Sequence, residues 1–200
     1  MLFVLLFKLT AYLPLMLYFH PRITGKKQVP REPCILAMNH GHAMDPCMIN
    51  LAFPLKRIYM LTSKHLFNCS RLHQWELRQM GCRPCLSPAG DIETMTEIAG
   101  GIRPCEHIGY FAEGKIQAGI GNFRSGPVML ALQTDLPLVP VYIKTAPFYK
   151  GGSHIVFGKP VDLHAGGKAV NSDRILQLNE ELRRTVIMLS DNQNEGRQEA

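Results

Sequence analysis

The chain has 200 residues, 46% of them hydrophobic and 19% charged. It is long enough for one domain with a real core and too apolar to be disordered. Its net charge of +6 is concentrated: residues 1–31 carry five bases and no acid, while residues 32–200 carry seventeen bases against sixteen acids. A surface basic all over, as in many nucleic-acid binders, is thereby excluded, and no nucleic-acid partner is expected.

Residues 1–19 read MLFVLLFKLTAYLPLMLYF, with sixteen apolar residues. As a helix they would cover about 28 Å, close to a hydrocarbon core. Lys8 in the middle is costly in lipid unless it snorkels. Pro14 removes a helix hydrogen bond and favours two shorter pieces. A cleaved signal peptide fits poorly, because no base precedes the run and His20-Pro21-Arg22 follows it. A buried core helix is a second reading. The pattern favours a membrane-embedded or interfacial segment, with Arg22, Lys26, Lys27 and Arg31 beside anionic headgroups and the rest of the chain on the cytoplasmic side. The six cysteines (Cys34, Cys47, Cys69, Cys82, Cys85, Cys105) would stay reduced in that compartment. Cys82-Arg-Pro-Cys85 lacks the second pair that a tetrahedral zinc site needs, so it reads as strand cysteines.

Beyond the basic segment, short strands alternate with helices. Strands are expected at Cys34–Met38, Ile58–Leu61, Arg83–Leu86, His107–Phe111, Leu138–Ile143 and Ile155–Phe157. Pro140 suggests an edge or irregular position for the fifth of these. Helices are expected from Asp45-Pro46 to about Phe53, with Asp45 as cap, and over 64–79, Ile92–Ala99 and Gly126–Gln133. Residues 173–189 form an amphipathic helix with Ile175, Leu178, Leu182, Val186 and Leu189 on one face and Ser172 as cap. The polar tail after Ser190 should fray. The pattern predicts an α/β domain, a layered mixed sheet flanked by helices.

Chemistry concentrates in Asn39-His40-Gly41-His42-Ala43-Met44-Asp45, between a strand end and a helix start. Asp45 can fold back to accept a proton from one nitrogen of His40, leaving the other as a general base. That is the orienting half of a catalytic triad, suited to a substrate that brings its own hydroxyl. Two other readings stand beside it. His40 and His42 can be plain loop residues. The His-x-His start also resembles the metallo-β-lactamase-type signature, but Met44 holds the place of its Asp, and His107, His154 and His164 lack ligand context. No resident metal or cofactor is expected.

The downstream residues carry a resemblance. Asn-His-x4-Asp at 39–45, Phe111-Ala112-Glu113-Gly114, Phe123-Arg124-Ser125-Gly126, Leu136-Pro137-Leu138-Val139-Pro140-Val141 and Gly158-Lys159-Pro160 resemble, in order, the motifs of the lysophospholipid acyltransferase (PlsC-type) family. The resemblance implies a membrane-binding helical segment and basic linker at 1–31, an acyltransferase catalytic domain at 32–190 and a polar tail at 191–200. It implies transfer of an acyl chain from coenzyme A or acyl carrier protein to a lipid hydroxyl at the cytoplasmic face of a membrane, by default lysophosphatidate giving phosphatidic acid. His40 would be the base and Asp45 its orienter. Glu113 and Gly114 would shape the acceptor pocket, and backbone amides would hold the oxyanion. Two arginines expected in the family as a phosphate clamp are missing: Lys115-Ile116 stands where Thr-Arg is usual, and the other place falls near Ser87. Lys115 and Arg124 are the candidate substitutes, although Lys does not copy the forked geometry of Arg. Readings left open are a phosphate-free acceptor and a lipid-binding homologue with weak catalysis.

Overall fold

The apolar runs near 35–38, 107–111 and 138–144 lie side by side in the middle of one seven-stranded sheet. The structure is a computed structural model that describes residues 2–54, 56–62, 67–68, 70–79, 81–84, 90–102, 106–163 and 171–195. Cys69, Cys85, Ser87, Cys105 and His164 fall outside these, as does the side chain of Lys8. The strands are β1 (Arg22–Thr24), β2 (Ile35–Met38), β3 (Ile58–Thr62), β4 (Cys82–Pro84), β5 (His107–Phe111), β6 (Leu138–Lys144) and β7 (His154–Phe157). Their order is β1-β7-β6-β2-β5-β3-β4, and only β6 and β7 run antiparallel. The helices are α1 (Leu2–Phe19), α2 (Asp45–Ala52), α3 (Arg71–Gln79), α4 (Gly90–Gly101), α5 (Gly126–Thr134) and α6 (Ser172–Glu195).

Every residue of β2 is buried, as a parallel strand covered on both faces requires. Successive side chains alternate between two cores. Leu36 and Met38 join Tyr12, Phe19, Met48 and Phe53 under α1 and α2. Ile35 and Ala37 join Met95, Leu130, Leu178 and Leu182 under α4, α5 and α6. Because β2, β5 and β6 run parallel, the segments leaving their C-terminal ends share one edge of the sheet. Loops there are free to vary in sequence while rigid strand ends aim their side chains, the usual place for a ligand crevice in an open α/β sheet.

Four local expectations are corrected. Pro140 does not mark an edge: β6 sits between β7 and β2. A strand residue's N and O point to the same side, and the Pro140 carbonyl accepts from Gly158 N. The missing N–H therefore faces β7 beyond its last residue, Phe157, and the β2 ladder loses nothing. Asp45 is the first residue of α2 rather than its cap, which is Met44. The side chain that caps α6 is Asn171, whose Oδ1 accepts from Arg174 N at 2.8 Å, and Ser172 is already helical. That helix runs on to Glu195, past the point where fraying is expected. In addition, α1 is continuous through Pro14, and the basic segment after it contributes the edge strand β1, paired with β7. Among the described residues no helix is long and apolar enough to cross a membrane.

Three cysteines are described. Cys34, Cys47 and Cys82 are free thiols. Burial pushes Cys34 up to about 12 and Cys82 up to about 11, and raises Cys47, so all three are protonated and unreactive. Cys34 Sγ lies 3.2 Å from Nδ1 of His107, at the end of the sheet opposite His40. Burial, with the nearby Lys56 charge, lowers His107 from 6.5 to about 4. The ring is therefore folded in as the neutral form. Its contribution to stability is complete above about pH 6.5 and is lost as pH falls through 4, about 3 kcal/mol in all. Urea unfolding at pH 7 and pH 4.5 should show this loss in the natural chain. The difference between the two pH values should shrink in His107→Asn, whatever that variant's absolute stability.

Candidate active site

The strand end of β2 and the first turn of α2 hold His40 and Asp45 in register. Asp45 is completely buried. Its Oδ2 lies 3.0 Å from Nδ1 of His40 and accepts 2.8 Å hydrogen bonds from the amides of Gly41 and His42. Its Oδ1 accepts from the Thr145 hydroxyl at 2.5 Å. The N-terminus of α2 adds the favourable end of a helix dipole. The carboxylate oxygen facing the ring is an acceptor, so this geometry puts the imidazole proton of His40 on Nδ1. Nε2 of His40 makes no hydrogen bond to a described residue, and the side chain is 16% exposed. Phe111 stacks on the ring at 4.2 Å between centroids, with 29° between planes, which limits its rotation.

The loop after β5 fixes the same histidine by its backbone. Glu113 is buried, and its two oxygens accept from His40 N and Gly121 N, both at 2.7 Å. Gln117 N donates to the His40 carbonyl at 3.0 Å. Glu113 thus shapes the site by tying two loops together, with both carboxylate oxygens committed to backbone. Gly114 has φ +68, and a Cβ there would stand 2.8 Å from the Arg124 guanidinium carbon. The glycine both permits the turn and lets Arg124 lie across it. Arg124 N is itself anchored to the Ala112 carbonyl at 2.8 Å. Lys115 and Arg124 are both exposed. Neither makes an ion pair with a described residue.

A cleft of about 500 Å³ opens beside the loop, lined in part by Gly41, His42, Gly119, Ile120, Thr145 and Ile187. His42 does not extend the base: its Nδ1 accepts from Met44 N at 3.0 Å and braces the turn. The Gly41 and His42 amides are spent on Asp45, so an oxyanion donor has to come from elsewhere. Among the described residues no group of three or more His, Cys, Asp and Glu side chains could hold a metal ion.

The structure therefore brings His40, Asp45, Glu113 and Gly114 together around one loop junction, with Arg124 over the glycine. Sequence reasoning did not reach Thr145 or Gln117 as parts of this junction. Thr145 lies 100 residues from its partner. Only the pairing of β2 with β6, which sets Met38 opposite Val141, carries it to the right end of the sheet. Asn39 was visible only as part of a motif. It is buried and clamps β6, donating to Ile143 O at 2.9 Å and accepting from Ile143 N at 2.8 Å.

The crystal structure of the 1-acyl-sn-glycerophosphate acyltransferase PlsC from Thermotoga maritima is similar to this fold, with a TM-score of 0.62 and 19% sequence identity. The superposition covers 94% of this chain and 78% of that one. No curated protein sequence matches the chain. The family model for acyltransferases matches residues 20–144, a span that begins at the foot of β1, includes the His40–Asp45 and Glu113 loops and ends with β6. The chain belongs to the acyltransferase family.

Proposed function

We propose that the chain moves an acyl group from a thioester of coenzyme A or acyl carrier protein to the hydroxyl of a lyso-glycerolipid, at a membrane surface. The observation that carries this reading is a base with one oriented nitrogen and one that bonds to no described residue, with no nucleophilic side chain bonded to it among the described residues. Nε2 of His40 takes the proton of the acceptor hydroxyl as its oxygen attacks the thioester carbonyl. The tetrahedral oxyanion then collapses, the C–S bond breaks, and the departing thiolate takes the proton from Nε2 to leave as free thiol. Asp45 remains ionised throughout, holding Nδ1–H and stabilising the transient imidazolium.

Lysophosphatidate is the acceptor that the exposed bases favour. Lys115 and Arg124 flank the Glu113–Gly114 turn, and the guanidinium over Gly114 is free of any described carboxylate. Its flat fork suits a phosphate. The second reading, a phosphate-free acceptor, rests on Ile116. This residue is 51% exposed where the family resemblance places an arginine.

The deciding measurement is turnover of an isotopically labelled acyl-thioester against a panel of acceptors, read by mass spectrometry. His40→Ala should lose at least about 10²–10⁴-fold in rate with its thermal melting preserved. Full turnover would overturn the mechanism. Replacing Lys115 and Arg124 together with Gln should raise the apparent KM for lysophosphatidate about tenfold or more, and leave a phosphate-free lyso-lipid within about twofold. Equal effects on the two would reject the clamp. Thr145→Val keeps shape and removes one donor from Asp45. It should lower kcat about tenfold, since the hydroxyl acts through Asp45 on the base. Thr145→Ser should restore the rate, an outcome that loss of packing alone would not give.

A further inference from the structure

The helix α1 is apolar on two sides, and only one is used. Tyr12, Leu15 and Phe19 face the core. Leu13, Met16 and Leu17, spaced i, i+3 and i+4 on another face, are exposed, Leu17 by 62%. A surface helix ordinarily carries polar residues there. The exposed face continues onto a second element far along the chain, the 3-10 turn Phe148–Lys150 that follows β6. Phe148 is 54% and Tyr149 63% exposed. Tyr149 meets Tyr18 at 6.5 Å between rings, and Phe148 meets His20 at 6.1 Å. Ser153 N also donates to the Phe19 carbonyl at 2.7 Å, which ties the segment after the turn to the helix end.

Charge selects what covers this patch. Residues 1–31 hold no acid, and neither does the stretch between Asp135 and Asp162, which holds Lys144, Lys150 and Lys159. Both segments that build the patch are thus purely basic, with Arg22 and Lys150 exposed beside the aromatic rings. An apolar face with tyrosines and bases at its margin is the composition of a surface that lies in a lipid interface. The end of α1 also reaches the site from its core-facing side: Phe19 packs against His42 with 6.4 Å between rings.

We infer that Phe148, Tyr149 and Lys150 form a second membrane contact beside the exposed face of α1, so that the protein lies on an anionic bilayer with α1 in the interfacial plane and the His40 loop next to the lipid. This rests on the reading that the acceptor is a lipid. It adds a contact, through Tyr149, that lies 131 residues from Tyr18 and that the apolar run at the N-terminus does not announce. Here the bases meet anionic headgroups while the rings enter the boundary between headgroups and acyl chains.

The test uses the full chain and vesicles of phosphatidylcholine with and without phosphatidylglycerol. The natural chain should sediment with the anionic vesicles, and Phe148→Ser/Tyr149→Ser should bind them about tenfold or more weakly. Lys150→Gln should weaken binding to anionic vesicles only. Both variants should turn over a short-chain acceptor, dispersed without vesicles, at the natural rate. A Tyr149→Trp chain should lose fluorescence on vesicles of brominated lipid. Unchanged sedimentation of the double variant, or an unquenched tryptophan, would overturn the contact. A natural dimer that becomes a monomer in the double variant would also overturn it, in favour of a second copy as the occupant. Vesicle binding is read without catalysis, so failure of the acyl-transfer assignment leaves this test intact.

Discussion

The buried carboxylate of Asp45 is the constraint around which the site is arranged. An ionised group without water is costly by several kcal/mol, and the cost is offset only if donors converge on it. Here they come from two directions: the imidazole and two amides of the 40–42 loop, and the Thr145 hydroxyl past the end of β6. The demand runs both ways. The carboxylate needs the loop to curl back over it. The loop, once curled, has only one orientation for His40, with Nδ1 inward and Nε2 outward. The tautomer that the proposed mechanism requires is thus a by-product of satisfying a buried carboxylate.

Glu113 repeats this logic on the other flank. It too is buried and acidic, and it too spends both oxygens on amides, one of them the amide of His40 itself. Two carboxylates therefore bracket one histidine, one through the side chain and one through the main chain. Neither is left to compete for the acceptor's proton. The bases that remain exposed, Lys115 and Arg124, leave the same loop in the opposite sense, toward solvent. On the twelve-residue stretch from Glu113 to Arg124 the one acid is buried and the two bases are exposed, so the group that ties down the His40 loop is separate from the groups proposed to meet an anionic substrate, even though the chain beyond residue 31 is close to neutral.

What sequence could foretell follows from how locally each feature is determined. Buried parallel strands are continuous apolar runs, so β2, β5 and β6 were legible from their own residues, as was the His40–Asp45 pair, five residues apart. The Pro140 expectation failed because a proline's tolerance depends on which side its missing donor faces, and that depends on where β7 stops. The Asp45 and Ser172 expectations each missed by one residue, since the competing cap lies next door and only geometry chooses. β1 was invisible. Its three residues are exposed and carry no alternation, and it is a strand only because β7 offers an open edge. Thr145 was out of reach for a different reason. Its role exists only once β6 has been placed beside β2.

The end of α1 joins the core, the sheet and the site. Phe19 is buried in the core, its ring lies against His42, and its carbonyl holds Ser153 at the start of β7. His42 in turn donates its amide to Asp45. A displacement of α1 is therefore transmitted to the carboxylate that orients the base through two contacts, one of packing and one of hydrogen bonding. The chain leaves the helix at His20 with φ +40, an unusual value for a residue other than glycine. The turn is sharp because the helix end and the edge strand β1 must both reach β7 within three residues. A surface that seats α1 also seats the loop that carries the base, and the basic, acid-free segment holds both in place by adding an edge strand to the catalytic sheet.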